Sequence, residues 1–358
     1  MTHSTGRTSG LIGLALALVL GVLAAPSSAA QGEAESQAAS GPFERVMAST
    51  PGGAALVTLA STVVGMLGGA FDALDDGAWV PAADPHALPV NLVPPLAVAA
   101  ETRSRAYTDG CHAFPDVRKA KGCSYGDPDS DVTVLIMGDS HGAMWLPAFE
   151  EIAARRGWRI HLLTKSACPP ARVSVLFRRE VYTACDAWRR SAFRVAQRLK
   201  PDLAIVTSTV GYAIDGITKR FSKPYLAAWR EGWTDTMRTL GRSAGEVVVL
   251  NDGPEWTKDP LKCLPRHTDD VRACATPRDV AMRADVAGAL RRAARDARAT
   301  FIDTSVLICP DDPCPVVDGR YLVAYDISHL TPLYARHLSE RLESMLPMPG
   351  EETTPDGS

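Results

Sequence analysis

The chain has 358 residues, 46% of them hydrophobic and 22% charged, with a formal net charge of −3. That is enough apolar material for one large core or two smaller ones. The charge balance excludes the basic surplus of a nucleic-acid binder and the acidic blocks of a disordered chain.

In chain order, the first 30 residues stand apart. Arg7 is their only formal charge, Leu11 to Ala25 is an unbroken apolar run, and Pro26-Ser27-Ser28-Ala29-Ala30 is a small-residue cleavage pattern. This is the layout of a secretory signal peptide, and the run is short for a membrane helix, which needs about 20 residues. Residues 31–52 are polar and small and read as a linker. Residues 54–71 carry no charge and raise the membrane question again. A span there behind a cleaved signal puts every later cysteine in a reducing cytoplasm. Two spans leave between them an inward loop with Glu33, Glu35 and Glu44 against one Arg45, contrary to the positive-inside rule. The stretch therefore reads as an apolar helix that packs on the protein or lies on a membrane surface, with a single uncleaved anchor as the alternative. Residues 72–100, rich in Pro, Ala and Asp, read as irregular. The organisation that follows is a signal at 1–30, a linker and N-terminal extension at 31–92, one folded domain at 93–346 and a disordered tail at 347–358.

From residue 130 short β-rich runs alternate with longer helical stretches. Val132 to Met137 is nearly continuously apolar, as a strand buried on both faces requires. Further strands are expected at 159–163, 203–207, 247–250 and 300–303, with helices near 142–156, 183–199, 225–241, 279–298 and 332–346. In the fourth of these helices Val280, Ala284, Ala287, Leu290 and Ala294 recur three or four apart. About five parallel strands separated by helices predict a three-layer α/β/α, flavodoxin-like fold with strand order 2-1-3-4-5.

The eight cysteines, Cys111, Cys123, Cys168, Cys185, Cys263, Cys274, Cys309 and Cys314, form an even set in a chain read as exported, which points to disulfides. The count alone allows 105 pairings. Neighbouring pairs bracket short loop-like stretches, which favours sequential pairing. A zinc site is the rival reading, but no C-x-x-C occurs and only His267 and His112 lie near the thiols. No metal and no organic cofactor is expected.

In such a sheet, ligands bind beyond the carboxyl ends of the strands. Ser140, in Gly138-Asp139-Ser140-His141, sits there, just after the first strand and at a helix start. It is the candidate nucleophile, and a helix cap is the bland alternative. Asp326-Ile327-Ser328-His329 follows the last strand and precedes the last helix, so its loop returns to the same edge. A carboxylate three residues before an imidazole can orient it, which makes His329 the base and Asp326 its partner. Asp139 reads as a cap or turn brace and His161 as a packed strand residue. His86, His112, His267 and His337 have no acid in a comparable context.

Gly138-Asp139-Ser140-His141-Gly142-Ala143-Met144-Trp145 with the late Asp326-x-x-His329 resembles the SGNH (GDSL-like) hydrolases. The likeness is closest to the SGNH domain found with acyltransferase-3 membrane proteins, which O-acylate bacterial surface glycans. Gly110-Cys111, Cys123-Ser124-Tyr125-Gly126-Asp127, Thr164-Lys165-Ser166-Ala167-Cys168-Pro169-Pro170 and Cys185-x-x-Trp188 extend it from about Val93 to Leu346. The resemblance implies an α/β/α fold and a triad of Ser140, His329 and Asp326 acting on an acyl ester outside the membrane. The wider SGNH pattern has a Gly after the second strand and an Asn after the third, both oxyanion donors. Here Thr164-Lys165-Ser166 and Thr207-Ser208-Thr209 stand in those places. His141, Lys165, Ser166 and Ser208 are therefore the candidates for substrate or oxyanion contact, and Asn251-Asp252, after the fourth strand, reads as a decoy.

The expected function is an exported O-acyltransferase or O-acetylesterase acting on cell-envelope carbohydrate in the periplasm, outside the cell or at the envelope. The acyl donor is expected to come from a separate membrane protein, unless the chain is a free-standing esterase. The alternative is a non-catalytic glycan-binding or partner subunit of a membrane acyltransferase. No nucleic-acid partner is expected.

Overall fold

A computed structural model describes residues 86–349. The expected signal at 1–30, the linker at 31–52, the apolar stretch at 54–71, the first part of the extension and the last nine residues of the tail lie outside the described residues. Among the described residues, no helix is long and apolar enough to cross a membrane.

The sheet is built from β1 (His112–Ala113), β2 (Cys123–Gly126), β3 (Thr133–Gly138), β4 (Arg159–Lys165), β5 (Leu203–Thr207), β6 (Glu246–Leu250) and β7 (Thr300–Ile302). The five main strands are parallel in the order β4-β3-β5-β6-β7, which is the expected 2-1-3-4-5 arrangement. Two short strands share the outer edge of β4. β1 runs parallel to its carboxyl end and β2 antiparallel to the rest, making seven strands in all. These edge strands are too short and too polar to show an apolar period in the sequence.

Every residue of β3 is buried. Alternate side chains serve opposite faces, as the twofold strand period demands. Val134 and Ile136 join a core with Phe149, Ile152, Tyr334 and Leu342, whereas Leu135 and Met137 join one with Trp188, Trp229, Trp233 and Leu290. The first face is covered by α2 (Leu146–Arg156), α6 (Pro332–His337) and α7 (Ser339–Glu343). The second is covered by α3 (Thr183–Leu199), α4 (Lys223–Leu240) and α5 (Ala284–Ala297). Both faces of the parallel sheet are thereby kept from water.

Three expected helices are each broken. The stretch after Ser140 divides into α1 (Ser140–Met144) and α2 at Trp145, with Pro147 in the first turn of α2. Pro tolerates that position because its missing N–H has no partner there anyway. The last helix divides at Leu338. The 279–298 stretch is interrupted where Met282 turns extended, so α5 starts at Ala284. Its buried stripe is Val286, Ala289, Leu290, Ala293 and Ala294, and Val280 is exposed instead.

The cysteines pair sequentially: Cys111–Cys123, Cys168–Cys185, Cys263–Cys274 and Cys309–Cys314. Residues 86–110 are ordered largely by contact with the rest. Leu92, Ala99 and Ala106 enter the first core, and Val93 exchanges backbone hydrogen bonds with Arg320 and Leu322.

Candidate active site

β3 ends at Gly138, and the chain turns at once into α1. Asp139 is the N-cap of that helix and is wholly buried. One carboxylate oxygen accepts from the His141 N–H at 2.8 Å. The other accepts from the Thr209 N–H at 3.0 Å and from the Tyr212 hydroxyl. Burial pushes the carboxyl up, and the donors oppose that push. Asp139 is thus a brace, as its sequence position suggests, and it ties the turn to the loop after β5. Ser140 is the first residue of α1 and is half-buried. Its N–H, in the first helical turn, has no intrahelical acceptor.

The loop 326–329 folds tightly around Asp326. The carboxylate accepts from the N–H groups of Ser328 and His329, each at 2.8 Å, and lies 2.9 Å from His329 Nδ1. Burial would raise this carboxyl, but the hydrogen bond and charge of His329 outweigh it and hold it below the usual range. With Nδ1 committed to Asp326, Nε2 is the ring nitrogen left for a substrate or a hydroxyl. Tyr325 stacks on the imidazole at 5.5 Å with nearly parallel planes, and the Arg103 guanidinium lies 4.0 Å over Tyr325. The other side of the site brings the His141 ring to 4.7 Å from His329, edge to face. That contact joins the Asp326–His329 loop to the residue that follows Ser140. Among the described residues Ser140 Oγ has no hydrogen-bond partner. Catalytic hydrogen bonds are often long before substrate binds.

His141 is 2% exposed, and its Nδ1 lies 2.6 Å from Asp252 Oδ1. Asp252 also accepts from the N–H groups of Gly253 and Val210. Asp252 is thereby tied to the residue that follows Ser140. Its neighbour Asn251 points its amide at Asp303 instead. Topology offered the only sequence signal for Asp252, since it follows a main strand at the carboxyl edge.

The weaker oxyanion candidates fare differently. Lys165 is fully buried, and its amine donates to the carbonyls of Phe114, Pro115 and Val117. It pins an edge loop, and burial lowers it to about 8; strand alternation turns it from the side that Thr164 and Ser166 face. The Ser166 N–H donates to Ala113 and so is not available to an oxyanion, and its hydroxyl pairs with His112 Nε2. The Ser208 hydroxyl donates to the Thr209 carbonyl. His112, set aside at the sequence level, is buried between Thr164 and Ser166 with its ring 4.6 Å from Tyr107. Burial drives it down to about 4, with the charges of His329 and Lys165 adding to the effect. Arg103, Tyr107, Tyr212 and Tyr325 had no spacing in the sequence to mark them.

A family described as "SGNH domain (fused to AT3 domains)" matches residues 110–344. No curated protein matches the sequence. Among solved structures, the chain is similar to the periplasmic domain of a lipopolysaccharide acetyltransferase from Salmonella ser. Paratyphi A. That pair has 13% identity and a TM-score of 0.49, over 67% of this chain and 87% of that one. It is also similar to an acetylxylan esterase from Geobacillus stearothermophilus, at 11% identity and TM-score 0.37 over 61% and 95% of the two chains. A Bacteroides fragilis protein described as "a putative acylhydrolase" gives 10% identity and TM-score 0.36 over 62% and 88%.

Proposed function

The chain belongs to the SGNH family of domains fused to AT3 domains, and from that premise we propose that it is an exported serine enzyme that moves an acyl group onto or off cell-envelope carbohydrate. The observation that carries the reading is the Asp326–His329 pair, bonded at Nδ1 and packed against the residue after Ser140.

In the proposed cycle, Ser140 Oγ attacks the carbonyl carbon of an acyl ester while its proton passes to His329 Nε2. Asp326 holds the imidazole in the right tautomer and stabilises the imidazolium that forms. The tetrahedral adduct collapses as His329 returns the proton to the leaving oxygen, giving acyl-Ser140 and the free alcohol. A sugar hydroxyl or water then attacks the acyl carbon, losing its proton to His329, which passes it to the departing Ser140 Oγ. The Ser140 N–H supplies one oxyanion donor. A sugar acceptor makes the protein a transferase supplied by a membrane acyl-donor partner, and water makes it an esterase. The four disulfides support export, because oxidising compartments are where such bonds persist.

The test uses p-nitrophenyl acetate and a serine-directed fluorophosphonate. The parent protein is expected to turn over the ester and take the label at Ser140, and Ser140→Ala to do neither. Asp326→Asn is expected to keep the fold and lose about 10⁴-fold in kcat, because the carboxamide favours the wrong imidazole tautomer. A parent protein that neither labels nor turns over sinks the enzyme reading and leaves the non-catalytic partner subunit.

A further inference from the structure

Beside His329 lies a second imidazole–carboxylate pair that the acyl-transfer cycle leaves unused. His141 and Asp252 are 2% and 8% exposed. Their 2.6 Å hydrogen bond spans 111 residues of sequence. Asp252 is itself immobilised: the Gly253 N–H donates to the oxygen that faces His141, and the Val210 N–H donates to the other at 3.2 Å. The backbone N–H of His141 is bound by Asp139. The imidazole thus has little freedom to swing away.

The charged groups facing His141 come from three directions. Asp252 reaches it from the end of β6, Asp139 from the β3–α1 turn, and Asp326 from the loop that also carries His329, whose ring touches its own. Burial works against a charged imidazole, but the Asp252 charge and hydrogen bond, helped by Asp139 and Asp326, outweigh burial and raise His141 to about 9. A hydrogen bond to Asp252 alone could be met by any neutral donor of similar size. A cation beside three carboxylates is a different object, because it puts a positive charge one residue from the nucleophile.

We propose that His141, held as an imidazolium by Asp252, is a fixed positive charge that favours the negative charge developing at Ser140 Oγ and at the acyl oxygen. This rests on the serine acyl-transfer reading. The charge is permanent through the cycle: His141 neither gives nor takes a proton, and His329 alone shuttles. Preorganised charge in a water-poor site is effective because it needs no rearrangement when the transition state forms. Asp252 is the positioning residue of the pair, acting only through the imidazole.

Two measurements test this. In the first, the ring nitrogens of His141 are followed by ¹⁵N NMR against pH in the parent protein and in Asp252→Asn. The parent imidazole is expected to stay protonated until about pH 9, and the variant to lose its proton about two units lower, without its principal carboxylate. This needs no activity, so it separates the charge from the reading of Ser140. A parent His141 that is neutral at pH 7 overturns the proposal without any variant. In the second, kcat/KM for p-nitrophenyl acetate is measured from pH 6 to 10. The parent is expected to lose activity above about pH 9. Asp252→Asn moves that limb down with the NMR transition. His141→Gln abolishes the limb and lowers the plateau about 100-fold. A purely structural role lowers activity without moving the limb. A limb that stays in place in Asp252→Asn, or persists in His141→Gln, overturns the proposal. If Ser140→Ala retains full turnover, the acyl-transfer reading has failed instead, whatever the NMR shows.

Discussion

Gly138→Ala should damage the site through a single added methyl group. Gly138 ends β3 between Thr164 of β4 and Thr207 of β5. A Cβ built there meets Gly142 Cα at 2.7 Å, the Thr207 carbonyl oxygen at 2.8 Å and Gly142 N at 3.1 Å. All three are backbone atoms, so no side chain can rotate away. Restoring ordinary contact requires α1 to retreat by about 0.7 Å from a close-packed sheet. Overpacking of this kind costs about 1–3 kcal/mol. Backbone on both sides of the new methyl argues for the upper end, a loss of about 3 kcal/mol, or about 6–12 °C in Tm for a domain of this size. The same retreat carries Ser140 with it, and a displacement approaching 1 Å costs about 10²-fold in reactivity. Gly142→Ala is the control. Its Cβ meets the Thr164 methyl at 3.2 Å and nothing else nearer than 3.8 Å. That strain is small, and Ala gains about 1 kcal/mol over Gly within a helix, so the change should be close to neutral. Thermal unfolding and the rate of fluorophosphonate labelling at Ser140 measure both variants. A Gly138→Ala protein with parental Tm and labelling rate, or a Gly142→Ala protein equally damaged, refutes the packing argument.

Two further outcomes follow from the disulfides and from a buried histidine. The Cys168–Cys185 and Cys309–Cys314 bridges have sequence separations of 17 and 5. Replacing each pair by alanines should cost about 3 and about 2 kcal/mol by loop-closure entropy, measured by urea unfolding. A shorter bridge that matters more than the longer one contradicts that ordering. His112 is held down to about 4 in the folded protein against an ordinary 6.5, so between those values the unfolded chain binds the extra proton. Stability should therefore fall as pH drops from 6.5 toward 4, by about 2 kcal/mol at pH 5 from this group. His112→Gln should remove that slope, and urea midpoints at pH 7 and pH 5 in both proteins test it.

The main sheet was legible because a buried parallel strand is written as an apolar run. Val134 to Met137 must be apolar to serve two cores at once, and strand order then follows from the way helices cover both faces. The dyad was legible because Asp326 and His329 are three residues apart, so a local turn is enough to join them. Sequential pairing of the cysteines was legible for the same local reason. Helix breaks at Trp145, Met282 and Leu338 were not, since amphipathic spacing continues across a kink. The position of Lys165 along the chain does not reveal the face of the sheet that its side chain serves. One step along β4 exchanges the side of the sheet, and its amine serves the loop at 114–117.

The contact of Asp252 with His141 is not legible in the sequence, and its concealment has a physical cause. β6 does not neighbour β3 in the sheet, so nothing local relates Asp252 to Ser140. The link is the loop after β5, which crosses the carboxyl edge between them. Its Thr209 N–H and Tyr212 hydroxyl bind Asp139, and its Val210 N–H binds Asp252. One loop therefore fixes the carboxylate that caps α1 and the carboxylate that holds His141. The backbone bonds are indifferent to side-chain type, which is why Thr209 and Val210 carry no signature. A substitution at Tyr212 should consequently be felt at both carboxylates, whereas one at Asn251, whose amide is bound to Asp303, should be felt at neither. The surroundings of Ser140 are thus set by strand order and by backbone donors that only the folded chain brings together.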